Sequence, residues 1–190
     1  MSIKKSAVIL SGGKNSRMGY ETKAFLKLND RKFIDLIIES LKDYDDIIVS
    51  CNKLEDYKYL KQVTLIEDEI KDIGPMGGIY SCLKKCNYNK CLFVAADMPF
   101  INKNVIDTLT YCEFNEDALV PIVNGKIEPL VAVYDKKIVH IIEELIDNND
   151  FKIRNLLKLI NVKYIEINDN KAFINVNTKE EYENIKKEEE

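Results

Sequence analysis

The strongest constraint on this chain is a series of short, almost wholly apolar segments. Each is followed by a glycine, an amide or an acidic residue, and they alternate with helix-length amphipathic stretches. Ser6–Ser11 runs straight into Gly12-Gly13, which reads as a buried strand ending in a glycine loop. Ile47–Cys51, Val63–Ile66 and Cys91–Ala96 read as further buried strands, the last closed by Asp97. Between them, Ile34, Ile37, Ile38 and Leu41 recur at i, i+3, i+4, i+7 and predict an amphipathic helix over 33–43. Helices are expected at Gly77–Cys86, beginning after Pro75, and over 103–112. Strands that are apolar throughout, alternating with helices, suit a mostly parallel sheet covered on both faces. The fold class expected is therefore single-domain α/β.

The pattern changes after residue 117. Ala118–Val123 and Lys126–Tyr134 read as two strands about a tight Asn124-Gly125 turn, a small antiparallel hairpin or edge rather than a second domain. Long helices are expected from Ile138 and over Phe151–Ile160, and short strands at Val162–Ile167 and Phe173–Val176. The tail from Thr178 reads as helical. With no internal repeat or Gly/Ser linker, residues 1–190 are expected to form one unit, with a nucleotide-binding part over about 1–100, an acceptor-side part over about 101–180 and a tail over 181–190.

Composition narrows the partners. A net charge of −4 does not favour a nucleic-acid coat protein, although it permits a local basic pocket. No apolar run reaches the roughly 18 residues that span a membrane, and Met1–Ser6 passes directly into Ala7–Leu10 without a signal-peptide core. The expectation is a soluble, cytoplasmic protein with no nucleic-acid or membrane partner. The five cysteines, Cys51, Cys82, Cys86, Cys91 and Cys112, are expected to be reduced structural thiols. The single histidine, His140, lies on an apolar-patterned helix without a nucleophile motif beside it, and reads as packed or on the surface.

In an open α/β sheet, ligands bind outside the carboxyl ends of the strands. After the first strand come Gly12, Gly13, Arg17 and Gly19, with Lys23 beyond. Glycines allow backbone N–H groups close to an anion, and Arg17 and Lys23 offer fixed positive charge to a polyphosphate. The same residues also read as a glycine turn with solvated basic side chains. The spacing matches neither a Walker A loop nor a dinucleotide fingerprint. Asp97, at the end of an apolar strand, is placed to hold Mg²⁺, which takes one or two carboxylates plus nucleotide phosphates; a turn or cap role is the alternative. Asp68 is a candidate second polar contact and Asn52 a candidate reader of a base edge, each also readable as a turn residue. Gly74-Pro75-Met76-Gly77-Gly78 either initiates a helix or brings backbone close to a nucleotide. A phosphate nucleophile is already anionic, so no histidine base is required; alignment and charge neutralisation suffice.

Taken together, the motifs resemble the molybdenum cofactor guanylyltransferases. Leu10-Ser11-Gly12-Gly13, Arg17-Met18-Gly19 and Lys23 resemble that family's signature loop. Ile73–Gly78, Ala96–Phe100, Glu128–Tyr134 and Phe173–Thr178 resemble its later motifs, in order along most of the chain. The resemblance implies a Rossmann-like fold of the nucleotide-diphospho-sugar transferase kind and transfer of GMP from GTP to the phosphate of Mo-molybdopterin, with Mg²⁺ as cofactor and pyrophosphate released. It implies nucleotide binding by Leu10, Ser11, Gly12, Gly13, Lys23, Asn52, Asp68 and Asp97, with Asp97 on the metal. It implies catalysis through Arg17, Lys23 and Asp97, and acceptor binding by Gly19, Asn175 and Asn177. Transient contact with molybdenum-insertion proteins or molybdoenzymes is a further implication. Two departures are small: Ser11 replaces a common alanine, and Lys179 stands where many members have proline.

The rival readings are a cytidylyltransferase acting on the same cofactor, a sugar-phosphate nucleotidyltransferase and a non-catalytic nucleotide-binding module. By the same resemblance, Gly12-Gly13 looks guanine-type, where an alanine-glycine pair would look cytosine-type. The grouping of Arg17, Lys23 and Asp97 argues for an enzyme over a module, since binding alone does not demand that cluster.

Overall fold

The computed structural model describes residues 3–12 and 22–189. One mixed sheet organises the chain. Its strands are β1 (Ile3–Leu10), β4 (Tyr44–Cys51), β5 (Thr64–Glu67), β6 (Lys90–Ala95), β7 (Ala118–Val123), β8 (Lys126–Ile127), β9 (Ala132–Asp135) and β10 (Val162–Glu166). A separate two-stranded ribbon pairs β2 (Lys27–Leu28) with β3 (Arg31–Lys32). The sheet order is β10-β7-β9-β6-β1-β4-β5, with β8 attached to β7. β4, β1 and β6 are parallel neighbours, β5 runs parallel to β4, and β10 runs parallel to β7. The mostly parallel α/β architecture is thus present.

Side chains alternate across the sheet, as the pleat requires. From β1, Ala7 and Ile9 enter one core with Val49, Leu92 and Val94. That core is covered by α1 (Phe33–Ser40) and α3 (Lys103–Tyr111), through Ile34, Ile37, Val105, Ile106 and Leu109. Val8 and Leu10 face the opposite core with Ile48 and Phe93. Here α2 (Pro75–Lys85), α4 (Val139–Asp147) and α5 (Ile153–Leu159) supply Met76, Ile79, Leu83, Ile142, Leu145 and Leu156. A third cluster joins Leu26, Leu28, Phe33 and Val176 to Ile185 of α6 (Lys179–Glu189).

Three local expectations change. The antiparallel strand is not confined to an edge, since β9 lies inside the sheet and pairs antiparallel with both β6 and β7. Lys126–Tyr134 is not one strand: it breaks at Glu128–Val131, where Pro129 has no N–H to give a ladder and Val131 N donates to Glu128 O at 3.2 Å. The Tyr134 hydroxyl, deep in the core, fixes this break by donating to Pro129 O at 2.8 Å. Phe173–Val176 forms no strand either: Phe173 N and Ile174 N close turns on Asn170 O and Lys171 O, and Val176 N donates to Asp97 O at 2.9 Å.

The Asn124-Gly125 turn is as expected, with φ of 49° and 71° and cross-strand pairs Ile122–Ile127 and Val123–Lys126. A second turn of this kind, Asn29-Asp30 with φ of 49° and 61°, joins β2 to β3. α2 starts at Pro75, earlier than expected. Its two glycines serve packing: a Cβ on Gly78 would stand 2.5 Å from Ser50 Oγ and 2.9 Å from Leu10, and one on Gly77 would stand 2.6 Å from Ile70 O. The helix can therefore lie directly over the carboxyl ends of β1 and β4. No helix among the described residues is long and apolar enough to cross a membrane.

Candidate active site

The parallel strands β1 and β6 end side by side, with Leu10 paired to Ala95, so the segments leaving them meet at one edge. Ala96 N donates to Leu10 O at 3.0 Å, and Ser11 N to Ser50 O at 2.9 Å, extending the sheet by one bond on each side of β1. Beyond these bonds lies a cavity of about 130 Å³ walled by Ser11, Gly12, Lys23, Pro75, Asp97 and Leu130.

Lys23 and Asp97 form the charged centre. The ammonium lies 2.8 Å from Asp97 Oδ2, and the two side chains are only 21% and 19% exposed. Lys23 also donates to Asn177 Oδ1. Three segments 74 and 154 residues apart in sequence are thus tied together by one amine. A pair this far removed from water gains more from its Coulomb attraction than a surface pair does, and holds its geometry better.

A second group gathers around Gly12. A Cβ at this position would lie 2.8 Å from Asp68 Oδ2 and 3.2 Å from Asn52 Oδ1, so glycine lets the backbone pass between them without displacing either side chain. Asp68 is 7% exposed and accepts from Ser50 Oγ at 2.6 Å. Burial raises its carboxyl pKa, and the Ser50 hydrogen bond partly offsets that. Asn52 and Asp68 flank the cavity at Gly12, while Leu10, Ser11, Gly12, Lys23 and Asp97 line it directly.

The closing segment supplies the third wall. Asn177 reaches Lys23, whereas Asn175 Oδ1 is buried and accepts no hydrogen bond among the described residues. Buried carbonyl oxygens are normally paired, so this one is a candidate for a missing ligand donor. Asn175 and Asn177 do not lie on a strand; the turn at 170–174 and the Val176–Asp97 bond bring the segment to the cavity instead. Gly13, Arg17 and Gly19 lie outside the described residues.

For Mg²⁺, the donors present fit an ion that completes its shell from nucleotide phosphates and water: Asp97 offers one carboxylate at the cavity wall. Among the described residues no cluster of three or more acidic, histidine or cysteine side chains forms a self-sufficient metal cage. The thiols stand apart from the site chemistry. All five cysteines are unpaired, and burial pushes Cys51 up to about 11. His140 is exposed on α4.

Two participants escaped the sequence reading. Ser50 looks like any strand-end residue until its bond to Asp68 is seen. Tyr57 lies in the polar stretch 53–62, where no periodicity marks it, yet its hydroxyl is 2.6 Å from Ser11 Oγ.

The fold is a mostly parallel α/β sheet with a charged cavity at its carboxyl edge, and similarity to known proteins makes it a nucleotidyltransferase. More particularly, the chain belongs to the MobA-like NTP transferase domain family, which matches residues 7–166. A Clostridium perfringens (strain 13) relative named "Probable molybdenum cofactor guanylyltransferase" is 40% identical over 198 aligned residues, covering 99% of each chain. A relative of the same name from Natranaerobius thermophilus is 32% identical, covering 96% of this chain and 95% of its own. In fold, the chain is similar to the molybdopterin-guanine dinucleotide biosynthesis protein A of Archaeoglobus fulgidus, with a TM-score of 0.80 at 24% identity over 96% of this chain and 97% of that one.

Proposed function

We propose that this protein transfers GMP from GTP to the terminal phosphate of Mo-molybdopterin, releasing pyrophosphate. The observation that carries the proposal is Lys23, held at 2.8 Å from Asp97 and bonded to Asn177 at the carboxyl edge of the sheet. The names of the full-length relatives supply the substrates.

In this reading the triphosphate lies along Ser11, Gly12 and Lys23. Asp97 would hold Mg²⁺, which when bound neutralises charge on the phosphate oxygens. Lys23 stabilises negative charge developing at the α-phosphorus and keeps its position through Asn177. Arg17 and Gly13 would add donors to the phosphates. The acceptor phosphate is an anion at neutral pH, so the chain needs only to align it for in-line attack. Asn175, whose buried oxygen accepts no bond among the described residues, and Asn177 would bind the acceptor, assisted by Gly19. Asn52 and Asp68, beside Gly12, would read the base: a carboxylate accepts from the N–H donors on guanine's edge. The part over 1–100 would thus hold the donor and that over 101–180 the acceptor. A cytoplasmic setting, with brief contact to molybdenum-insertion proteins or molybdoenzymes, completes the proposal and agrees with five unpaired thiols.

The test is pyrophosphate release by the purified protein with Mg²⁺, Mo-molybdopterin and each of the four NTPs. Release should require the acceptor and be fastest with GTP. Release independent of acceptor, or confined to another NTP, would refute this assignment.

A further inference from the structure

Tyr57 ends the single-turn helix Leu54–Tyr57, five residues beyond Asn52 on the segment leaving β4. It is 3% exposed. Its hydroxyl makes two contacts with one residue: 2.6 Å to Ser11 Oγ, and a bond donated to Ser11 O at 3.3 Å. Its ring packs on Phe25 with centroids 4.9 Å apart. Phe25 belongs to the turn Lys23–Phe25, closed by Phe25 N on Thr22 O at 2.8 Å and Leu26 N on Lys23 O at 3.1 Å. Phe25 is backed in turn by Tyr59 at 6.2 Å, and the Lys32 ammonium lies 3.8 Å from the Tyr59 ring. One side chain therefore touches both walls of the cavity, the Ser11–Gly12 wall by hydrogen bonds and the Lys23 wall by ring packing.

We propose that Tyr57 is a positioning residue for the donor nucleotide, setting Ser11 by its hydroxyl and the Lys23 turn by its ring. The two functions separate chemically. The hydroxyl fixes the rotamer of Ser11, so that the serine presents one orientation to an incoming phosphate; without it Ser11 is free to turn and nucleotide binding weakens. The ring fixes where the Lys23 backbone stands relative to Ser11, which matters when charge develops in the transition state. Burial raises the phenol pKa, keeping the proton in place across the working pH range.

The proposal rests on GTP being the donor, and steady-state kinetics on the full chain test it. Tyr57→Phe keeps the ring and removes the hydroxyl. It should raise KM for GTP about fivefold, the scale of one lost hydrogen bond, with kcat within about twofold and an unchanged KM for the acceptor. Combined with Ser11→Ala, it should add less than it costs in the wild type, because the contact to Ser11 Oγ is already gone and only the bond to the Ser11 backbone oxygen remains to be lost. Tyr57→Leu should lower kcat as well. An unchanged KM for GTP in a folded Tyr57→Phe variant, or additive losses in the double variant, would overturn the proposal, and both are readable even if Tyr57→Leu does not fold. Wild-type protein that turns over another NTP but not GTP would refute the donor assignment; the same two variants assayed with that NTP then decide the role of Tyr57.

Discussion

Single side chains carry the sharpest consequences. Asp97→Asn keeps the size of the side chain and removes the charge that faces Lys23. Turnover should fall by roughly a hundredfold or more, on the order of 2.7 kcal/mol of transition-state stabilisation, while circular dichroism remains that of the wild type. Near-normal turnover at limiting Mg²⁺ would remove Asp97 from the metal. Asp68 makes a different point, because its burial works against stability. A carboxyl whose pKa is raised on folding contributes least to stability once both states are ionised, so its cost is present at neutral pH and absent below the unfolded pKa. Asp68→Asn still accepts from Ser50 and should therefore melt at a higher temperature than wild type at pH 7, with the gap closing as the pH falls below the usual carboxylate range. The same variant should bind GTP less well. A thermal melt series over pH reads the first effect; an Asp68→Asn protein that is less stable at pH 7 would contradict it.

At the scale of elements, the legible and the illegible parts divide for a physical reason. The strands at Ile47–Cys51 and Cys91–Ala96 are buried on both faces, so their apolar runs mark them, and their carboxyl ends mark where Asn52 and Asp97 must stand. Phe173–Val176 alternates as a strand would, yet its N–H groups are taken by Asn170, Lys171 and Asp97, partners that only the assembled fold brings within reach. Tyr57 and Ser50 were hidden for the same reason: each acts through contacts to residues distant in sequence, Tyr57 to Ser11 and Ser50 to Asp68. The start of α6 was the opposite case, because the Thr178-to-Glu181 spacing is local. Glu181 N donates to Thr178 Oγ1 at 3.2 Å, and Glu181 Oε2 accepts from Asn177 N at 2.7 Å and Thr178 N at 2.9 Å, a reciprocal cap. Lys179, in place of a proline, leaves it intact. Since the cap also fixes the backbone of Asn177, Thr178→Ala should cost about 1 kcal/mol of stability and also weaken acceptor use, read as a raised acceptor KM with GTP affinity unchanged. Accepting those backbone N–H bonds lowers the Glu181 carboxyl pKa. The cap's contribution is therefore full above the unfolded glutamate pKa and fades as pH falls through the folded one.

For the whole molecule, the segments before and after residue 100 share one sheet through the β6–β9 pairing and share both main cores. Donor binding should therefore register as global stabilisation. A ligand that binds only the folded state raises the melting midpoint, so GTP with Mg²⁺ should protect the protein, and CTP much less, since a base that leaves buried polar groups unpaired is strongly penalised. Asn175→Ala and Asn177→Ala should retain that protection by GTP yet transfer GMP poorly, with the deficit growing as the acceptor becomes scarce. Loss of GTP protection with acceptor affinity retained would place the two amides on the donor side. The central claim, that this cleft joins a guanine nucleotide to a molybdopterin phosphate, is tested most directly by the mass of the product. Purified protein with Mg²⁺, Mo-molybdopterin and equal GTP and CTP should yield the guanine dinucleotide of the cofactor and pyrophosphate in equal amounts, and Asp97→Asn should yield almost none. A cytosine dinucleotide as the main product, or no dinucleotide at all from folded wild-type protein, would contradict it.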